Sequence, residues 1–90
     1  MTNQEIISMG DAYVMPTYGR FPVAFEKGQG ATLTDFDGKT YLDFTSGIGV
    51  NSLGYGYTPW VEAVSRQAAA LQHISNLYYS APMAQVAKTL

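Results

Sequence analysis

The stretch from Tyr41 to Pro59, YLDFTSGIGVNSLGYGYTP, limits what this chain can fold into more than any other part of it. It begins with the alternation of a strand, breaks into small residues, and becomes helical in pattern after Pro59. Gly47, Gly49, Gly54 and Gly56 fall within ten residues. Glycine loses more backbone freedom on folding than any other residue, so so dense a run implies positive φ or a very close approach by another group. Two readings follow from the residues alone: a tight corner between a sheet and a helix, or a loop whose bare backbone lines a ligand site. Ile48 and Val50 stand apolar between the glycines, and Tyr55 and Tyr57 follow them.

Strands are expected on the N-terminal side of this stretch. Val23 to Lys27 is bounded by Pro22 and by Gly28-Gln29-Gly30, while Thr32 to Phe36 and Lys39 to Phe44 flank Asp37-Gly38. Asp-Gly between alternating apolar residues predicts a two-residue type I′ hairpin, in which both central residues have φ > 0. That loop places Leu33 opposite Leu42 and puts Phe44 on the same face as Leu42, with Tyr41 and Asp43 on the other. The expected result is a three-stranded antiparallel meander with one apolar face.

Helices are expected on either side of the meander. Thr2-Asn3-Gln4-Glu5 fits a capping box, Ile6, Ile7 and Met9 give a short apolar face, and Gly10 is the expected stop. Asp11 to Phe21, with Pro16 and Gly19, reads as an irregular arm that docks on a neighbouring surface. Thr58-Pro59 opens a second helix, with Val61, Val64, Ala68 and Leu71 on one face. His73 to Tyr79 reads as loop or short strand. Ser80 to Pro82 starts a further helix carrying Met83, Val86, Ala87 and Leu90. The fold class is therefore an α+β segment: an N-terminal helix, the meander, a helix and the start of another.

Ninety residues make one small domain of marginal stability, and only 13% of them are charged, fewer than a free-standing surface usually carries. The chain thus reads as a segment that expects cover from more protein. A net charge of −2 supplies no basic patch for nucleic acid. Without cysteine there is neither disulfide nor thiolate metal site, and the N-terminus lacks the apolar core of a secretory signal. The expected location is cytoplasmic.

The words YGRFPV (Tyr18–Val23), KGQG (Lys27–Gly30), DFDGKTYLDFTSGIGVNSLG (Asp35–Gly54), VEAV (Val61–Val64) and HISNLYYSAP (His73–Pro82) together resemble the opening segment of a class III aminotransferase. These are pyridoxal-phosphate enzymes of fold-type I. The similarity is strongest to the subgroup that moves an amino group between N-acetylornithine and 2-oxoglutarate in arginine biosynthesis, with ornithine and 4-aminobutyrate enzymes as siblings. What it implies is residues 1–22 as N-terminal helix and arm, and residues 23–90 as part of a small N-terminal domain cut off before the large cofactor-binding domain. It further implies pyridoxal 5′-phosphate as cofactor, an amino donor and a 2-oxo acid as partners, the rest of the enzyme, and a second subunit in a homodimer. One departure stands out. The family most often has LGHxHP where this chain has LGYGYTP, so two histidines are replaced by Tyr55 and Tyr57.

Transamination needs a lysine that forms a Schiff base with the cofactor, a carboxylate on the pyridinium nitrogen and donors for the phosphate. Lys27, Lys39 and Lys88 all read as solvated charges, and the resemblance puts the catalytic lysine beyond Leu90. No catalytic residue is therefore expected in this segment. By resemblance, Tyr18, Gly47 and Ile48 line the substrate side, the phenol facing a carboxylate and Ile48 an aliphatic stem. Asn76 and Tyr78 fall near the dimer interface and the partner's cofactor phosphate. Arg20 is a further candidate for a substrate carboxylate. On the residues alone, Tyr18 equally docks the arm, Ile48 packs in a core, Arg20 serves as an ion-pair or cation–π fixture, and Asn76 caps a loop. The reading from another class is a non-catalytic module that buries the meander's apolar face against a partner.

Overall fold

The computed structural model describes residues 1–90. In chain order it comprises α1 (Asn3–Tyr13), β1 (Phe25–Gln29), β2 (Thr32–Asp35), β3 (Thr40–Leu42), α2 (Thr58–Ala70) and α3 (Ala81–Thr89). The chain divides into two units, Met1–Tyr57 and Thr58–Leu90. The α+β order is the one the sequence predicts.

In the first unit, α1 starts on the expected capping box. The Thr2 hydroxyl accepts from the Glu5 amide at 3.2 Å, and the Glu5 carboxylate accepts from the Thr2 amide at 2.7 Å. Gly10 does not end the helix, contrary to expectation. The Val14 amide still donates to the Gly10 carbonyl, and Val14 itself is extended. The helix cannot run much further, because Pro16 disfavours helical backbone at Met15.

The sheet is an antiparallel meander in the order β1-β2-β3. Gln29 pairs with Thr32, so Gly28 and Gln29 belong to β1 rather than to the turn, and the strand lies later than the expected Val23–Lys27. The register shifts between Phe25 and Lys27, which leaves Glu26 as the extra residue of a bulge.

The second hairpin also departs from expectation. Leu33 pairs with Tyr41, and Leu42 with Thr32. Only Gly38 of the Asp37-Gly38 pair has positive φ, at 86°. The physical cause is Asp35. Its carboxylate accepts from the amides of Asp37 (3.0 Å) and Lys39 (2.8 Å), and its carbonyl accepts from Gly38. An Asp side chain that bonds the backbone two residues on favours a type I turn closed by a left-handed glycine over the two-residue I′ form. The longer loop moves the register by one place, and a slip of one exchanges the two faces of a strand. Tyr41 and Asp43 therefore share the face of Leu33 and Phe25. The rings of Phe25 and Tyr41 meet edge to face at 5.4 Å, with the Lys39 ammonium 4.9 Å from the Tyr41 centroid. Leu42 and Phe44 stand exposed, and β3 ends at Leu42.

Asn3 fixes α1 to this sheet. Its Nδ2 donates to Asp35 at 3.0 Å, and its Oδ1 accepts from the amides of Phe36 (3.2 Å) and Ala24 (3.4 Å). Its own amide donates to the Asp37 carboxylate, an anion placed at the positive end of the helix. Asp35, 2% exposed, completes its shell with the Tyr41 hydroxyl at 2.9 Å. Burial pushes the Asp35 carboxyl up, but the donors from Asn3, Lys39, Tyr41 and Asp37 outweigh it and leave the pKa below the usual carboxylate value.

In the second unit, α2 and α3 are joined by residues 71–80. Ser80 caps α3 with extended backbone but without a side-chain bond, and Pro82 occupies the first turn. Val61 and Val64 are on α2 as expected, while Leu71 follows its end, and none of the three is buried. No helix of the chain is long and apolar enough to cross a membrane. Across the whole chain the only buried apolar residue is Ala24.

Candidate functional site

The glycine-rich loop after β3 is anchored at both ends. At its start, one oxygen of Asp43 accepts from the Thr45 amide (2.8 Å), the Thr45 hydroxyl (2.9 Å) and the Ser46 amide (2.9 Å). Its other oxygen accepts from the Tyr55 hydroxyl at 2.7 Å. Charge-assisted bonds of this kind are the strong ones. The Tyr55 phenol, then the Thr45 and Ser46 amides, pull the Asp43 carboxyl down to about 2, and the same Asp43 contact pushes the Tyr55 phenol up. At the far end of the loop, Tyr55 pairs with Gly30 through both backbone bonds, at 2.8 and 2.9 Å. Its ring lies on β1 over Gly28, where a Cβ would come within 2.6 Å of the ring. Only glycine permits that approach.

Between these anchors the backbone is strained. Ser46, Gly47, Ile48 and Gly49 have φ of 52°, 60°, 61° and 81°, one turn of left-handed helix. The Gly49 amide donates to the Thr45 carbonyl (3.1 Å), and the Asn51 amide to the Ser46 carbonyl (2.8 Å). A β-branched residue at positive φ is a genuine outlier, and such strain persists only where the surroundings impose it. Ile48 is that residue, and it is 96% exposed. At Gly47 a Cβ would lie 2.8 Å from the side-chain Nδ2 of Asn51, which can swing aside, so it is the positive φ that disfavours a side chain there. The turn holds out an uncovered apolar side chain with open backbone at Gly49 beside it.

Tyr18 and Arg20 lie elsewhere in the first unit, along a cleft of 520 Å³ between α1 and the arm whose apolar wall includes Ile6, Ile7 and Val23. The structure thus brings Tyr18 and Arg20 to one cleft and Gly47 and Ile48 to one turn. In the second unit Asn76 and Tyr78 share a pocket of 290 Å³ with His73, Ser75 and Ser80, a set rich in neutral hydrogen-bonding groups. Ser75 there has φ of 67°. No three His, Cys, Asp or Glu side chains converge as a metal site.

Two features were not found by reading the sequence: the role of Tyr55 as an anchor and that of Asn3 as a hub. Tyr55 carried a signal, since it is one of the positions where the histidine of the usual motif is replaced. Asn3 carried none beyond its place inside the capping box.

A family model described as aminotransferase class-III matches residues 13–90. An acetylornithine aminotransferase of Haemophilus ducreyi is 50% identical over 90 residues, which are 100% of this chain and 23% of that protein. Another, from Synechocystis sp., is 53% identical over 78 residues, 87% of this chain and 18% of its own length. Among solved structures, acetylornithine aminotransferase from Elizabethkingia anophelis superposes with a TM-score of 0.94 at 25% identity, covering 98% of this chain and 22% of that one. N-acetylornithine aminotransferase from Stenotrophomonas maltophilia gives 0.77 at 36% identity, over 92% of this chain and 21% of its own. The chain spans about a fifth of the length of the curated relatives it matches.

Proposed function

This chain belongs to the class III aminotransferases, and on that premise we propose that it is the N-terminal segment of an enzyme moving an amino group between N-acetylornithine and 2-oxoglutarate, in arginine biosynthesis in the cytoplasm. What carries the reading is likeness over the full chain to relatives of that name. Residues 1–22 act as helix and arm, and residues 23–90 as part of a small domain that meets a larger one and a second subunit.

Pyridoxal 5′-phosphate supplies the electron sink of the reaction when bound. The residues of the first unit suit the substrate side of its surroundings. Asp35 and Asp43 are each saturated by internal donors, so neither is free for the ring nitrogen. Lys39 rests on the Tyr41 ring, and neither Lys27 nor Lys88 lines any of the cavities described. The lysine and carboxylate that engage the ring are therefore expected elsewhere in the whole protein. Asn76 and Tyr78, in the second unit, offer an amide and a hydroxyl suited to the phosphate oxygens of the cofactor bound by the second subunit. Ile48 offers an apolar wall for the aliphatic stem of the donor, and the Gly47 backbone leaves room beside it. Tyr18 and Arg20 present a phenol and a guanidinium to a substrate carboxylate, the latter able to bind it with two hydrogen bonds.

The test is steady-state amino transfer to 2-oxoglutarate by the whole cofactor-loaded protein, with N-acetylornithine, ornithine and 4-aminobutyrate compared as donors. The expected result is the highest kcat/KM for N-acetylornithine. Preference for either other donor moves the protein to that sibling activity. No transfer from any of the three leaves a non-catalytic interaction module.

A further inference from the structure

Tyr55 has no part in the site as proposed above, yet its bonds join the two ends of the strained loop. The hydroxyl reaches Asp43, whose other oxygen already holds the Thr45 and Ser46 amides at the entrance to the left-handed turn. Its backbone pairs with Gly30, and its ring lies on Gly28, so the residue is itself fixed to β1. Asn51, on the exit side of the turn, also reaches the Tyr55 oxygen, at 3.4 Å. A left-handed β-branched residue relaxes unless it is held, and no other side chain of residues 1–90 covers the exposed Ile48.

We propose that Tyr55 is a positioning residue for the amino donor. Its hydrogen bond to Asp43 ties the entrance of the loop to β1 and thereby holds Ile48, in its left-handed conformation, against the substrate. The role rests on the placing of Ile48 at the substrate side given above. Removing the hydroxyl leaves the ring on Gly28 but frees residues 44–54 to relax toward ordinary backbone, so the donor loses a wall while the groups that do the chemistry are untouched.

The experiment uses the whole cofactor-loaded protein with Tyr55→Phe, Tyr55→His and Ile48→Ala. Two readouts are taken: steady-state kinetics with N-acetylornithine, and amide hydrogen exchange of peptides covering residues 44–54. For Tyr55→Phe the expected result is faster exchange confined to those peptides and a KM raised about tenfold, with kcat within about twofold, the pattern of lost ground-state and transition-state binding alike. Tyr55→His has a shorter ring whose N–H does not reach Asp43 from the same backbone position, so it is expected to behave like Tyr55→Phe in both readouts. Unchanged exchange in Tyr55→Phe overturns the proposal whatever the kinetics. Faster exchange with KM unchanged, while Ile48→Ala still raises KM, also overturns it and leaves the site reading standing. KM unchanged in both variants overturns the site reading and the proposal with it.

Discussion

Ile48 is held at φ 61° with nothing covering it, a conformation that costs an L residue about 1–2 kcal/mol. Ile48→Gly is therefore predicted to leave thermal stability equal or higher, by up to about 1 kcal/mol, while KM for the amino donor rises. Calorimetry and kinetics on the same preparation check both halves. Gly47→Ala acts in the opposite direction, since alanine is strained at φ 60° and its Cβ displaces the Asn51 side-chain amide from 2.8 Å. A loss of about 1–3 kcal/mol in equilibrium unfolding is expected. The acid behaviour of the loop belongs to Asp43. Its folded pKa, about 2, lies below the ordinary value of 3.8, so the contribution is complete above 3.8 and is lost as pH falls through about 2. Exchange protection of residues 44–54 should fall progressively as pH drops from 3.8 towards about 2, whereas Asp43→Asn should be flat across that window. The density of glycine made this loop visible in the sequence. What holds it was not visible, because the Asp43–Tyr55 bond joins residues 12 apart whose meeting depends on Tyr55 pairing with Gly30.

At the scale of elements, the features legible in the sequence were those set by neighbours in the chain. The capping box of α1, Ser80 and Pro82 at the start of α3, and the three-strand order all rest on local rules. The β2–β3 register did not, because the Asp35 side chain chose the turn. That same carboxylate is where α1 docks, through Asn3 some 32 residues away in sequence, and no periodicity announces such a contact. Asn3→Ala removes the amide that serves Asp35, Phe36 and Ala24 together. It should cost about 1–3 kcal/mol in denaturant unfolding of the whole protein and release α1 before the sheet melts. An unchanged midpoint, or loss of α1 and sheet in one step, would contradict that order.

For the molecule as a whole, the striped helices and the scarcity of charge point to faces awaiting cover; Val61 and Val64 of α2 and Met83 and Val86 of α3 are exposed, as are Phe21, Phe44, Leu77 and Tyr79 outside the helices. The 90-residue chain prepared alone should self-associate or lack a cooperative melt, since its apolar faces remain open. A monomer with a sharp, reversible transition would contradict this. A crystal structure of the whole protein with cofactor and amino donor bound tests directly whether the left-handed turn lies beside the substrate. The Ile48 side chain and the Gly47 backbone are expected within about 4 Å of the donor. Gly47 and Ile48 packed against other protein and remote from the donor would contradict it.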